Sequence, residues 1–146
     1  MPALIASAIV LGMAAPSASA ACAVWASGLA LGGYDPSDPV AVVQGYDIEV
    51  RCDAGELQFE LALGQSATSG TIEPRAMRHA FRPETLHYNL YQDAAAARIW
   101  GDDGSRSVQG TTAHGRATVP VYVRIDPLQD VWIGDYHDEV VLTVLP

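Results

Sequence analysis

The residues of this chain best equipped for chemistry gather at positions 86–103, in LHYNLYQDAAAARIWGDD. Tyr88, Tyr91 and Trp100 can make a platform on which a sugar ring stacks. Asp102 with Asp103 can serve as the acid and base of a glycosidase, and Asp135 with Asp138 repeats the pairing further on. The histidines, His79, His87, His114 and His137, are potential metal ligands, but none stands at H-x-H or H-E-x-x-H spacing. Each is therefore read as a solvated imidazole. Ser66, Ser69, Ser105 and Ser107 sit in polar segments, none of them within G-x-S-x-G. Adjacent acids beside a glycine are ordinary turn chemistry, and the D-D-G-S run lacks the ligand spacing of a calcium loop. No catalytic residue, metal site or cofactor is expected.

These residues must be held by strands. Leu86, Tyr88 and Leu90 alternate with His87, Asn89 and Tyr91, the period of two that a half-buried strand produces. Tyr88 thus shares a face with Leu86 and Leu90 and belongs to the core. Tyr91 and Trp100 remain as candidate surface-binding residues. Residues 94–97 are alanines, too few to nucleate a helix alone. The same alternation recurs in Tyr46, Ile48, Val50 and Cys52, in Leu57, Phe59, Leu61 and Leu63, and in Ala117, Val119, Val121, Val123 and Ile125. Pro120 cannot donate to a ladder, so its strand is expected at an edge or with a bulge.

An earlier strand starts at Cys22 and continues through Val24 and Ala26 to Leu29 and Leu31, and a last one covers residues 139–145. Residues 72–82, with Arg75, Arg78, His79 and Arg82, lack clear periodicity and read as irregular or a short strand; residues 109–116 read as a polar segment. About six or seven strands, with turn signals roughly every ten residues, predict a one-domain antiparallel β-sandwich.

Residues 1–20 read as an export signal. An apolar run over residues 3–15 is followed by Pro16 and then Ala18-Ser19-Ala20, a small-x-small cleavage pattern. The run is shorter than the roughly 20 residues that a membrane span needs, and no later run approaches that length. Cleavage after Ala20 leaves residues 21–146, which carry the whole formal charge of −9. That acidity disfavours nucleic acid, and the cations are all Arg, so no polybasic lysine patch faces anionic lipid. The two cysteines, Cys22 and Cys52, are expected to form one disulfide, because an exported chain oxidises and zinc would need further ligands at short spacing.

Taken in order, Cys22, Gly33-Tyr34, residues 48–52, Arg75-Ala76-Met77, residues 86–93, Trp100-Gly101-Asp102 and residues 134–140 resemble the spore coat protein U domain. That family includes subunits of archaic chaperone–usher pili. The resemblance spans nearly all of residues 21–146, and its most specific elements are L-x-Y-x-L-Y-x-D…W-G-D and the G-x-Y-x-D-x-V ending. It implies an all-β, incomplete immunoglobulin-like antiparallel β-sandwich lacking its last strand. The implied function is that of an exported, non-enzymatic structural subunit of a pilus or coat, completed by a strand from another chain. It would pass through the periplasm to the cell surface. Its partners would be a periplasmic chaperone, an outer-membrane usher and neighbouring subunits.

The counterpart in this chain is the run Val140, Val141, Leu142, Thr143, Val144 and Leu145, an apolar partner-strand edge that aggregates unless another chain pairs with it. With only Ala21 before Cys22 after cleavage, such a subunit accepts a strand without donating one, as a terminal subunit would. The alternative is a tip adhesin or surface-binding module that recognises a glycan or an abiotic surface through Tyr91, Trp100 or the loops at residues 35–39 and 64–70.

Overall fold

The computed structural model describes residues 5–13, 22–26, 28–53 and 55–145. The expected cleavage motif Ala18-Ser19-Ala20, Ala21 and Pro146 lie outside the described residues. The ten strands are β1 (Ile5–Met13), β2 (Cys22–Trp25), β3 (Leu29–Tyr34), β4 (Val42–Cys52), β5 (Gln58–Ser66), β6 (Arg75–His79), β7 (Thr85–Tyr91), β8 (Val108–Thr111), β9 (Arg116–Ile125) and β10 (Asp135–Leu145). No helix occurs among the described residues.

Hydrogen-bonded neighbours follow the path β2-β4-β9-β7-β6-β10-β1-β3, with β5 also on β10 and β8 on β5. Every pair is antiparallel except β1 with β10. The path bends at β6, which pairs with β7 through Arg75 to Arg78 and with β10 only at Arg78 and His79. Two layers result. β2, β4, β9 and β7 make one; β3, β1, β10, β5 and β8 make the other, and β2 meets β10 as β3 meets β4 across the gap. Ile48, Val50, Val121, Val123, Leu86 and Leu90 from the first layer share a single core with Leu29, Leu31, Leu61, Leu63, Val140 and Leu142 from the second. Each such side chain, fully buried, contributes about 1.5–3 kcal/mol.

The period-two segments of the sequence became strands because one face of each had this core to meet. Segments without the pattern hold strands as well. Residues 72–82 contain a true strand, β6, whose Arg75 points inward, and the polar segment that begins near residue 109 holds β8. The stretch that begins at Cys22 is two strands: β2 pairs with β4, and β3 crosses to the other layer to pair with β1. β9 lies between β4 and β7, yet at Pro120 it is an edge on the β7 side, as expected. Pro120 is accommodated because β7 reaches only as far as Tyr122 along it, and beyond that point β4 is the flanking strand.

β10 also departs from expectation. It is flanked on one side by β5 and β6 and on the other by β1, so Val140, Val141 and Leu142 are not an open edge in this structure.

Cys22 lies directly opposite Cys52 in the β2–β4 pair and is bonded to it, closing a loop with a sequence separation of 30. A cross-link of that span stabilises by about 3–4 kcal/mol, chiefly by restricting the unfolded chain. The double variant Cys22→Ser, Cys52→Ser is expected to lose about that amount. Urea titration at pH 7 should read the loss as a lower midpoint; an unchanged midpoint would refute the role.

Candidate functional site: the groove between β3 and β10

The C-terminal strand alternates strictly. Tyr136, Asp138, Val140, Leu142 and Val144 are buried, while the side chains between them turn outward. In β3, Leu29, Leu31 and Tyr34 are buried. These two strands do not pair with each other. Between them lies β1, joined to β10 from Ala6 opposite Asp135 to Met13 opposite Leu142, and to β3 from Ile5 opposite Tyr34 to Ile9 opposite Leu29, with a bulge after Ser7. Ile9 is fully buried and belongs to the common core. The space between β3 and β10 is thus one strand wide, and β1 occupies it, hydrogen-bonded to both neighbours above the shared apolar core.

Beneath β10 lies a polar cluster. Asp138, nearly inaccessible, accepts hydrogen bonds from the Tyr88 hydroxyl and, at 3.1 Å, from the Thr68 backbone N–H. Arg75, fully buried, donates to Asn89 Oδ1 (2.9 Å), to the Leu63 carbonyl (3.0 Å) and twice to the Gly64 carbonyl. Burial lowers the Arg75 guanidinium to about 10, against the opposing pull of Tyr88, Asp138 and Asp102. Burial above all, then the neighbouring Asp138 carboxylate, holds the Tyr88 phenol far above its ordinary range. Every one of these groups is spoken for. The cluster ties β5, β6, β7 and β10 together and offers no open face to a substrate.

The residues singled out for chemistry are dispersed. Trp100 is fully buried, and its Nε1 donates to the Leu61 carbonyl at 3.0 Å, so it cannot serve as a surface-binding residue. Its ring belongs to the common core. Tyr91 keeps a partly exposed position beside Glu73, Pro74, Arg124 and Asp126, with burial raising its phenol. The Tyr91–Trp100 platform therefore does not exist.

Asp103 heads an exposed turn, accepting from the Ser105 hydroxyl and the Ser105 and Arg106 backbone N–H groups, which lower its carboxyl. Asp135 is exposed and Asp138 buried, because three positions along a strand reverse the face. Asp135 and Asp138 therefore do not share a face. Among the described residues no group of His, Cys, Asp and Glu is arranged to hold a metal.

His79 is not solvated. Its Nε2 donates to the Ile133 carbonyl at 3.0 Å, and its Nδ1 accepts from the Phe81 and Arg82 backbone N–H groups at 3.0 and 3.1 Å. One imidazole thereby clamps the β6–β7 loop to the β9–β10 loop. Gly134 permits the approach, since a Cβ there would collide with the His79 ring. The clamp displays Phe81, 93% exposed, beside Trp132 and Ile133, each more than half exposed, with the Arg82 guanidinium 3.9 Å above the Trp132 ring. The signal for this patch is present in the sequence as large apolar residues inside turn-forming segments, but neither segment carries a motif that draws attention to it.

The model of the Spore Coat Protein U domain matches residues 9–143. The chain belongs to that family. Its match begins at Ile9, inside β1, and so takes in that strand from Ile9 to Met13 only. No curated protein matches. Among solved structures, this Spore Coat Protein U domain is similar to a chain of the CsuC–CsuE chaperone–tip adhesion subunit pre-assembly complex from archaic chaperone-usher Csu pili of Acinetobacter baumannii. The likeness has a TM-score of 0.57 at 17% identity and covers 84% of this chain and 38% of that one. At that identity it shows the fold, an immunoglobulin-like sandwich; this chain spans well under half the length of the matched one.

The buried Tyr88 hydroxyl makes stability depend on alkaline pH. The folded protein keeps a phenol proton that the unfolded chain releases near pH 10, so this contribution is full below about pH 10 and is lost as pH rises further. Tyr88→Phe should be less stable at pH 7 by about 1–3 kcal/mol, because one Asp138 oxygen loses its donor. It should also decline less between pH 9 and 11, in the window about pH 10 set by the phenol. Arg75 acts in the opposite sense in both proteins, since burial is the chief cause of its lowering. Denaturant titrations across that range compare the two slopes, and equal slopes would refute the assignment.

Proposed function

We propose that this Spore Coat Protein U domain is an exported structural subunit of a chaperone–usher pilus or of a spore or cell-surface coat. It is assembled by strand complementation, with no catalytic role. The carrying observation is the groove between β3 and β10, which is completed by a segment that stands apart in sequence from the body of the sandwich. With residues 1–20 removed as an export signal, the inward side chains of β10, the open backbone row along it and the matching row on β3 would be left for a partner. The partner-strand edge is then the β10 run containing Val140, Val141, Leu142, Thr143, Val144 and Leu145. Its buried members, Val140, Leu142 and Val144, supply the pockets, and the backbone supplies the hydrogen bonds.

Membership of the family, together with the likeness to a subunit captured in complex with its chaperone, supports a periplasmic chaperone as first partner, with an usher and neighbouring subunits to follow. The route runs from the periplasm to the cell surface. A terminal position suits a chain that keeps only Ala21 ahead of Cys22.

Co-expression of the full precursor with a chaperone of this class should yield a periplasmic one-to-one complex whose subunit begins at residue 21. N-terminal sequencing and light scattering check both points. A processed subunit that stays soluble, monomeric and as stable alone as in the complex would overturn the proposal.

A second reading, adhesion to an apolar surface, is favoured by one observation: the clamp at His79 presents Phe81, Trp132 and Ile133 to solvent on two adjoining loops. Folded monomers rarely hold such residues outward together without a use for them. The double variant Phe81→Ser, Trp132→Ser should reduce adsorption to polystyrene beads at least tenfold. Its stability should change little, since exposed substitutions usually stay within about 0.5 kcal/mol. Equal adsorption by both proteins would remove this reading.

A further inference from the structure

The groove has an occupant in this structure, and it is the chain's own. β1 satisfies β10 along residues 135–142 and gives β3 its strand partner, while Ile9 enters the core between Leu29 on one side and Asp138 on the other. No charged residue occurs in residues 1–20, so the segment enters an apolar groove without stripping water from an ion. The family match starts at Ile9 and so includes the second half of β1, Ile9 to Met13.

We infer that the segment Ile5–Met13, for as long as it remains attached, closes its own groove and keeps the subunit monomeric and unable to accept a partner strand. This rests on the reading of the groove as a strand-acceptor site. The physical basis is the tether. Met13 and Cys22 are separated by a short link, so the segment competes at an effective concentration in the millimolar range, and a free strand of equal intrinsic affinity binds about 10²–10⁴-fold more weakly. Retention or loss of the segment then sets two states: closed in cis, or open and in need of a partner. The same apolar residues that direct export would also be the groove's first ligand.

The test uses the full chain, residues 1–146, oxidised at Cys22–Cys52, with Ile9→Asp and Ile9→Leu as variants. The added probe is a fluorescein-labelled peptide with the sequence of residues 3–15. Wild type and Ile9→Leu should be monomers whose 135–142 amides resist hydrogen exchange at every protein concentration, and they should bind the peptide negligibly. Ile9→Asp should lose that protection and bind the peptide at least 100-fold more tightly, the size set by the tether. If wild type and Ile9→Asp bind it equally well, the groove accepts strands but is not closed in cis. If neither binds it and Ile9→Asp keeps its protection, the groove reading itself fails. Should Ile9→Asp not fold, dilution of wild type decides. Protection that persists in the monomer supports closure in cis, and protection found only in a dimer shows exchange between copies and overturns it.

Discussion

A strand that buries one face must also find partners for its backbone, and in this sandwich that requirement is sharpest between β3 and β10. Neither strand can reach the other, because a full strand width separates them. Something extended has to lie in the gap, carrying at least one bulky apolar side chain into the core and two rows of peptide groups to its flanks. β1 does both, with Ile9 as the buried anchor. The remaining strands are secured in other ways. β4 has neighbours on both sides, β7 and β9 share a ladder, and β2 is fixed to β4 by a covalent bond. The second layer depends on its inserted strand, and the first does not.

The polar cluster under β10 follows from the same geometry. Where β6 leaves one layer for the other, Arg75 supplies side-chain donors to the carbonyls of Leu63 and Gly64 near the end of β5. Asp138 plays the complementary role, accepting from a loop N–H and from Tyr88 across the core. A buried arginine and a buried aspartate cost desolvation energy, and their retention is explained by the backbone and side-chain groups they satisfy. Their type and position mimic catalytic machinery, while their hydrogen bonds join strands and a loop to one another.

Much of this fold is legible in the sequence. Period-two alternation locates β4, β5, β7 and β9, and places Tyr88 inward beside Leu86 and Leu90, because a half-buried strand writes its burial directly into residue order; β10 reads only as a last apolar strand. The Cys22–Cys52 bond follows from counting cysteines in a chain expected to be exported. What the sequence hides has a common cause. β6 is buried through Arg75 and His79, whose polarity conceals burial from any hydrophobic pattern, and the same polarity makes His79 read as a solvated imidazole. Trp100 stands in a turn-rich stretch whose composition says nothing of the space left beneath it. The occupied groove is the hardest to foresee. An apolar run with a cleavage pattern after it carries the composition of an export signal whether or not it also has a strand's place in the fold.

The disulfide has a mechanical consequence. Tension applied just ahead of Cys22 passes across the sulfur bridge to Cys52, the last residue of β4, and on along the chain toward β5. β2, β3, the loop that follows and β4 lie inside the covalent ring and are bypassed. At about 3.3–3.6 Å per residue, the ring withholds on the order of 100 Å of extensible chain. Pulled from that end, the oxidised domain behaves as a short, stiff link, and the reduced one as a spring.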